Sequence, residues 1–286
     1  DRPASNKLTL QPLSVPTWSW IGCFHLRPSR IGALITRCLF FSATDEREGG
    51  KQVWVMPAGG GAPRKLTLHT EGFTLEEWMP DGKGLLTSIT RDHFWRHGER
   101  FSIIQARWKQ GPEQVLFDDY GQYASVAPDG KRILYNREGD RWWRKGYTGS
   151  RTAQVWLWNL GDKSHTKLLD GEDARWPLWK PDGKAFYYAG ARDGVLNLRE
   201  YVLATKKDRQ VTRFKHDGVV FPSISRDGSI IAFRHLFDFY HLKSSNHIVI
   251  DGPNKEIIKK ISNFKSYLTV LKSQNIILDQ NIRKKI

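Results

Sequence analysis

Between residues 141 and 150 the chain reads Arg141-Trp142-Trp143-Arg144-Lys145-Gly146-Tyr147-Thr148-Gly149-Ser150, cations interleaved with aromatic rings and closed by small residues. Guanidinium and ammonium groups beside indoles can stack on bases, clasp a carboxylate or line a channel mouth. Arg141, Trp142, Trp143, Arg144, Lys145 and Tyr147 are therefore the candidate ligand or peptide contacts. The same indoles also suit the packing of a long hairpin loop against a neighbouring unit, with the cations left in water, and both readings stand.

Other chemistry is sparse. His93 and His97 lie four residues apart with Trp95 between them, a spacing that binds metal when it falls on a helix. Here it follows the strand-like run Leu85 to Ile89, in the polar insertion Arg91 to Arg100, and reads as a solvated loop. Gly59-Gly60-Gly61 sits between Trp54 and Leu66 and reads as a flexible turn, not a phosphate cradle. Neither a Gly-x-Ser-x-Gly elbow nor a His-Glu-x-x-His motif occurs, and Cys23 and Cys38 suggest neither a disulfide scaffold nor a metal site. The reading assigns no catalytic residue, no metal and no cofactor.

What must position the basic-aromatic segment is a repeat. Pro80-Asp81-Gly82-Lys83, Pro128-Asp129-Gly130-Lys131 and Pro181-Asp182-Gly183-Lys184 recur, with a degenerate copy at Ser225-Arg226-Asp227-Gly228; the spacings from 80 to 128, 181 and 226 are 48, 53 and 45 residues. Pro presets φ for the first corner of a tight turn, Asp accepts from backbone amides ahead of it, and Gly takes the left-handed conformation that closes a hairpin. Each copy lies between short runs rich in β-branched and aromatic residues, such as Trp176-Pro177-Leu178-Trp179 and Ala185-Phe186-Tyr187-Tyr188-Ala189. A period near 50 residues built from such runs predicts an all-β chain, a β-propeller of four-stranded antiparallel sheets. Blade material is expected from residue 39 to 240, about four blades of an incomplete ring, with Trp176, Trp179, Tyr187 and Tyr188 as inter-blade core.

Composition changes at both ends. Every Trp lies at or before Trp179, and from His241 onward there is no Ala or Trp while Ile, Lys and Asn dominate. Residues 1–38 are expected to be an irregular, non-native extension and 241–286 a Lys/Ile/Asn-rich one, flanking a fragment of a larger protein. The formal charge of +15 raises nucleic acid or anionic membrane as partners. However, +4 falls in residues 1–39 and +6 in residues 241–286, leaving +5 on the repeats, an ordinary value. No specific nucleic acid partner and no membrane span are expected, since His25, Arg27, Arg30 and Arg37 interrupt the apolar stretch near the start. Oligomeric state stays open.

Two stretches carry a resemblance. Arg137-Glu138-Gly139-Asp140-Arg141-Trp142-Trp143-Arg144-Lys145-Gly146-Tyr147, running into Gly149-Ser150 and Gln154-Val155-Trp156, is similar to a segment of tricorn-like bacterial peptidases, as is Val220 to Gly228 with Phe233-Arg234-His235. Over residues 39 to 240 the chain resembles the N-terminal propeller of the tricorn protease family and, more loosely, TolB-type propellers. The resemblance implies a non-catalytic module that shapes or gates peptide access to a serine-protease domain beyond this sequence. Its implied partners are peptides or protein domains of that parent protease. No position here matches the family's catalytic residues. A cytoplasmic location goes with this reading; the alternative, a stand-alone TolB-like protein-binding scaffold, goes with a periplasmic one.

Overall fold

Runs of β-branched and aromatic residues, cut by turn residues, fold here into strands alone. The computed structural model describes residues 38–44, 51–57, 62–89, 99–105, 112–139, 142–144, 146–236, 238–245 and 247–251. Among these residues there are eighteen strands, paired antiparallel throughout and joined into four sheets. The first sheet holds β1 (Cys38–Thr44), β2 (Lys51–Pro57) and β3 (Arg64–Lys65). The second has seven strands: β4 (Thr74–Trp78), β5 (Gly84–Ile89), β6 (Glu99–Gln105), β7 (Gln114–Val126), β8 (Arg132–Arg137), β9 (Gln154–Asn159) and β10 (His165–Leu169). The third holds β11 (Arg175–Trp179), β12 (Ala185–Gly190), β13 (Asn197–Val202) and β14 (Lys207–Gln210). The fourth holds β15 (Val220–Ile224), β16 (Ile230–His235), β17 (Asp238–Ser245) and β18 (His247–Asp251).

These are the blades of a β-propeller. The seven-stranded sheet contains two of them, because the 13-residue β7 pairs with β6 over Gln114 to Gly121 and with β8 over Gln122 to Val126. It is the outer strand of the second blade and the inner strand of the third. The expectation of about four blades thus meets four sheets holding five blade units, the first of which carries no tetrad among the described residues. The repeat also runs past residue 240, since β17 reaches Ser245 and β18 reaches Asp251. A segment without Ala or Trp still supplies Ile248-Val249-Ile250, β-branched residues suited to an outer strand.

Each tetrad joins the first strand of a blade to the second. Gly82, Gly130, Gly183 and Gly228 have φ of +68°, +69°, +63° and +71°. In each turn Asp Oδ1 accepts the amide two residues ahead, at 2.8 Å for Asp81 and Asp129, 2.9 Å for Asp182 and 3.1 Å for Asp227. Hydrogen bonds from the Ser225 and Ser229 hydroxyls, with the Ser229 amide, push the Asp227 carboxyl down to about 2. The turns also touch one another from blade to blade. A Cβ added to Gly228 would meet the Pro181 ring at 2.7 Å, and one on Gly183 would lie 3.7 Å from Pro128. Arg132 ties the second and third tetrads together: its Nε donates to Asp129 Oδ2 at 3.1 Å, its Nη2 donates to the Gly183 carbonyl at 3.1 Å, and its guanidinium lies over the Trp179 ring.

Among the described residues the inner strands of successive blades are not paired with one another. Side chains of the preceding blade fill the gap. Ser42 Oγ accepts from the Leu75 amide at 2.6 Å, Glu76 and Glu77 accept from Ala124 and Val126 at 3.0 and 2.6 Å, and Ser125 Oγ accepts from Trp179 at 3.2 Å. Asn136 Oδ1 accepts from the Trp176 amide at 2.7 Å while its Nδ2 donates to the carbonyls of Gln154 and Ala174. Between the blades lies the apolar core: β5 and β12 are buried along their whole length, and Trp176, Trp179, Tyr187 and Tyr188 are all buried. In β16, by contrast, Ile231, Phe233 and His235 are buried while Ile230, Ala232 and Arg234 are exposed in part, so one face of the fifth blade is more open among the described residues.

Two outcomes follow from this seam geometry. Burial, only partly offset by hydrogen bonds from Val126 and Ser125, pushes the Glu77 carboxyl up to about 7. The folded state then keeps a proton that the unfolded state releases above its ordinary carboxyl range, so stability should fall as pH rises from 5 to 8. A loss of about 2 kcal/mol over that interval, abolished in Glu77→Gln, is expected by urea denaturation across pH; an unchanged slope in the variant would refute it. Second, Gly228→Ala combines a left-handed backbone with a clash on a rigid proline ring, whereas Gly130→Ala meets only the backbone term. Denaturation midpoints should show a cost of about 1 kcal/mol for Gly130→Ala and roughly twice that for Gly228→Ala.

Candidate functional site

Antiparallel strands put alternate connections on opposite faces of the blades. The tetrads occupy one face, and the insertion between β8 and β9 rises from the other. Its neck is closed by backbone bonds, Gly139 N–H to the Arg151 carbonyl at 3.0 Å and Thr152 N–H to the Gly149 carbonyl at 3.0 Å. Tyr147 folds back over Gly149: a Cβ there would sit 2.2 Å from the Tyr147 hydroxyl, so a larger residue would have to displace that ring. Arg144 in turn stacks on the Tyr147 ring, 4.5 Å from its centroid. The insertion is a strap with its own internal packing.

The strap reaches two blades away. Trp142 leaves the third blade, passes the fourth and meets Phe221 of the fifth edge-to-face at 5.7 Å. The Arg234 guanidinium of β16 lies 5.0 Å from the Trp142 ring and 5.6 Å from Phe221. Trp143 stands perpendicular to Trp142, 5.7 Å between centroids, and is 59% exposed. One indole therefore packs against the fifth blade and the other is presented to solvent. Arg141 and Lys145 lie outside the described residues, as do His93, His97 and Gly59 to Gly61.

Beneath the strap runs an aromatic series not foreseen from the segment itself. Tyr123, Trp176 and Phe221 each sit at a β-bulge of an inner strand, with φ of +54°, +51° and +51°. Bulky residues seldom adopt this conformation, and holding them there costs on the order of 1–3 kcal/mol each. Their rings touch in sequence, Tyr123 to Trp176 at 6.0 Å and Trp176 to Phe221 at 5.0 Å. A signal for them was present: each stands five residues before the proline position of its tetrad, where the second blade has Leu75.

Between the strap and the fourth and fifth blades lies a cleft of about 230 Å³. Trp142, Trp143 and Gly146 form one wall; Ala191, Gly194, Val195 and Leu196, from the β12–β13 hairpin, form the other. Asp173, Asp217 and Gly218, from the connections between blades, and Val220, the first residue of β15, complete it. Asp173 is held in place by Arg175, whose Nη2 lies 2.8 Å from its Oδ1, and by the Ala153 amide. Gly218 permits close approach to the hairpin, since a Cβ there would lie 2.7 Å from that of Leu196. Among the described residues no group of three or more His, Cys, Asp or Glu side chains converges as a metal site, and no helix is long and apolar enough to cross a membrane. Among the described lining residues the arrangement offers apolar walls and two carboxylates, a combination that suits binding.

Comparison with known proteins places this geometry. A family model described as the tricorn protease N-terminal beta propeller domain matches residues 38–247. Dipeptidyl-peptidase 5 of Porphyromonas gingivalis is 28% identical over 217 residues, covering 70% of this chain and 30% of that protein. Tricorn protease homolog 1 of Streptomyces coelicolor is 27% identical over 158 residues, 50% of this chain and 13% of its own length. The chain thus spans less than a third of either relative. Among solved structures, TolB from Acinetobacter baumannii superimposes with a TM-score of 0.61 at 16% identity, over 75% of this chain and 52% of that one, a likeness of fold.

The strap's two indoles should separate in stability. Trp142→Ala, which removes the contact with Phe221 and Arg234, is expected to cost about 2 kcal/mol. Trp143→Ala should stay within about 0.5 kcal/mol; equal urea midpoints for the two variants would mean that Trp142 does not anchor the strap.

Proposed function

This chain belongs to the tricorn protease N-terminal β-propeller family, and from that premise we propose that it is a non-catalytic propeller module of a peptidase-type protein whose strap face contacts peptides and guides them towards a protease domain. The observation that carries the reading is the cleft between the strap and the fourth and fifth blades, bounded by Trp142 and Trp143 on one side and the Ala191 to Leu196 hairpin on the other. Peptide contact fits such a place because it combines apolar side-chain walls with polar groups at the loops, on a rigid scaffold. On the opposite face each tetrad aspartate is bonded to the backbone of its own turn. The peptidase relatives support the same direction, since both carry the propeller-like region within much longer proteins. The more open face of β16 suits contact with a further blade or domain of such a parent.

The reading is tested by incubating the full chain with a mixture of casein peptides and recovering bound species by gel filtration and mass spectrometry. Peptides should be retained intact. Replacing residues 140–149 by a two-residue turn should abolish retention, while Lys131→Ala on the turn face should not alter it. Retention that survives loss of the strap would place peptide contact elsewhere, and cleavage of the peptides would overturn the non-catalytic assignment.

A further inference from the structure

The cleft is small for a whole ligand and right for one side chain. Pockets that enclose drug-sized molecules span roughly 300–1,000 Å³, whereas this one holds about 230 Å³. Two of its lining residues, Leu196 and Val220, belong to the same apolar cluster as Trp176, Phe221 and Trp142, so the cleft adjoins the strained aromatic series. At its wall the Trp142 and Trp143 planes stand 89° apart, forming a corner into which a flat ring can fit with edge-to-face contact on one side and stacking on the other. Trp142 is fixed in that corner by Phe221 and Arg234, while Trp143 is presented to solvent. Among the described lining residues the ionisable side chains are Asp173, paired with Arg175 at 2.8 Å, and Asp217.

We infer that the cleft is a receptor for a single aromatic side chain of a bound polypeptide. The inference rests on the peptide-contact reading and adds to it the class of residue selected. Trp143 supplies the ring face that meets the guest, and Trp142 is a positioning residue that holds the strap at the right height above the hairpin. The hairpin contributes the small side chains Ala191 and Val195, beside Gly194, to the lining.

The test uses the full chain and the blocked tripeptides acetyl-Gly-Phe-Gly-amide, acetyl-Gly-Ala-Gly-amide and acetyl-Gly-Glu-Gly-amide, with affinities from ligand-detected NMR titration. The Phe peptide is expected to bind at least tenfold more tightly than the other two. Trp143→Ala should erase that preference, Trp143→Phe should keep most of it, and Ala191→Leu, which narrows the cleft from the far wall, should reduce Phe binding; unchanged thermal melts confirm that the variants are folded. Equal binding of the three peptides, or a preference that persists in Trp143→Ala, would overturn the aromatic receptor and leave peptide contact standing. Failure of both casein and blocked peptides to bind the wild-type chain would overturn the peptide-contact reading itself.

Discussion

Everything in this fold depends on how the exposed edges of the inner strands are satisfied. A strand pairs on two sides in the middle of a sheet, but the inner stretch of each blade's first strand, Gln122 to Val126 in β7, is paired within its own blade and not with the inner strand of the next. Its outward amides would be orphaned beside an apolar core, at a cost of about 1–3 kcal/mol for each buried group. The chain answers with acceptors from the preceding blade, Glu76, Glu77, Ser125 and Asn136, each bonded to a backbone amide of the next inner strand. These bonds set the angle and height of successive blades, and the aromatic wedge packs only once that relation is fixed. The strap is a consequence of the same geometry, because Trp142 reaches Phe221 only if the fourth blade holds the third and fifth at the proper separation.

The fold was legible where the chemistry is local. Pro128, Asp129 and Gly130 act on their own backbone within four residues, so their pattern announces a turn wherever it occurs, and three copies at near-constant spacing announce blades. The buried run Ala185 to Gly190 was legible for the same reason, as a short apolar stretch bounded by turn residues. The outer strand β18 was not, because Lys, Ile and Asn around it resemble a solvated tail and its place is set only by pairing with β17. Composition describes the residues, whereas pairing describes where they are held.

The site was half legible. Arg141 to Tyr147 stood out by residue type, but nothing in the segment distinguishes an indole that anchors from one that is presented; that is decided by Phe221 and Arg234, about eighty and ninety residues further on. Asp173, Gly194 and Asp217 come from three separate connections and share no pattern, since their common property is their place in the fold. The left-handed Tyr123, Trp176 and Phe221 run against local preference and are held by the bulges of β7, β11 and β15. Local rules fail where several blades act on one residue at once, and in this chain those places surround the cleft.

The undivided β7 has a consequence for how such a protein can be rebuilt. Most blades of this chain begin and end at loops, so they can be regarded as separate parts to be copied, exchanged or removed. The second and third cannot, because one strand of thirteen residues serves both. The unit of rearrangement there is a pair of blades, because a duplication, permutation or domain boundary placed inside Gln114 to Val126 has no loop to fall in and must break one continuous strand.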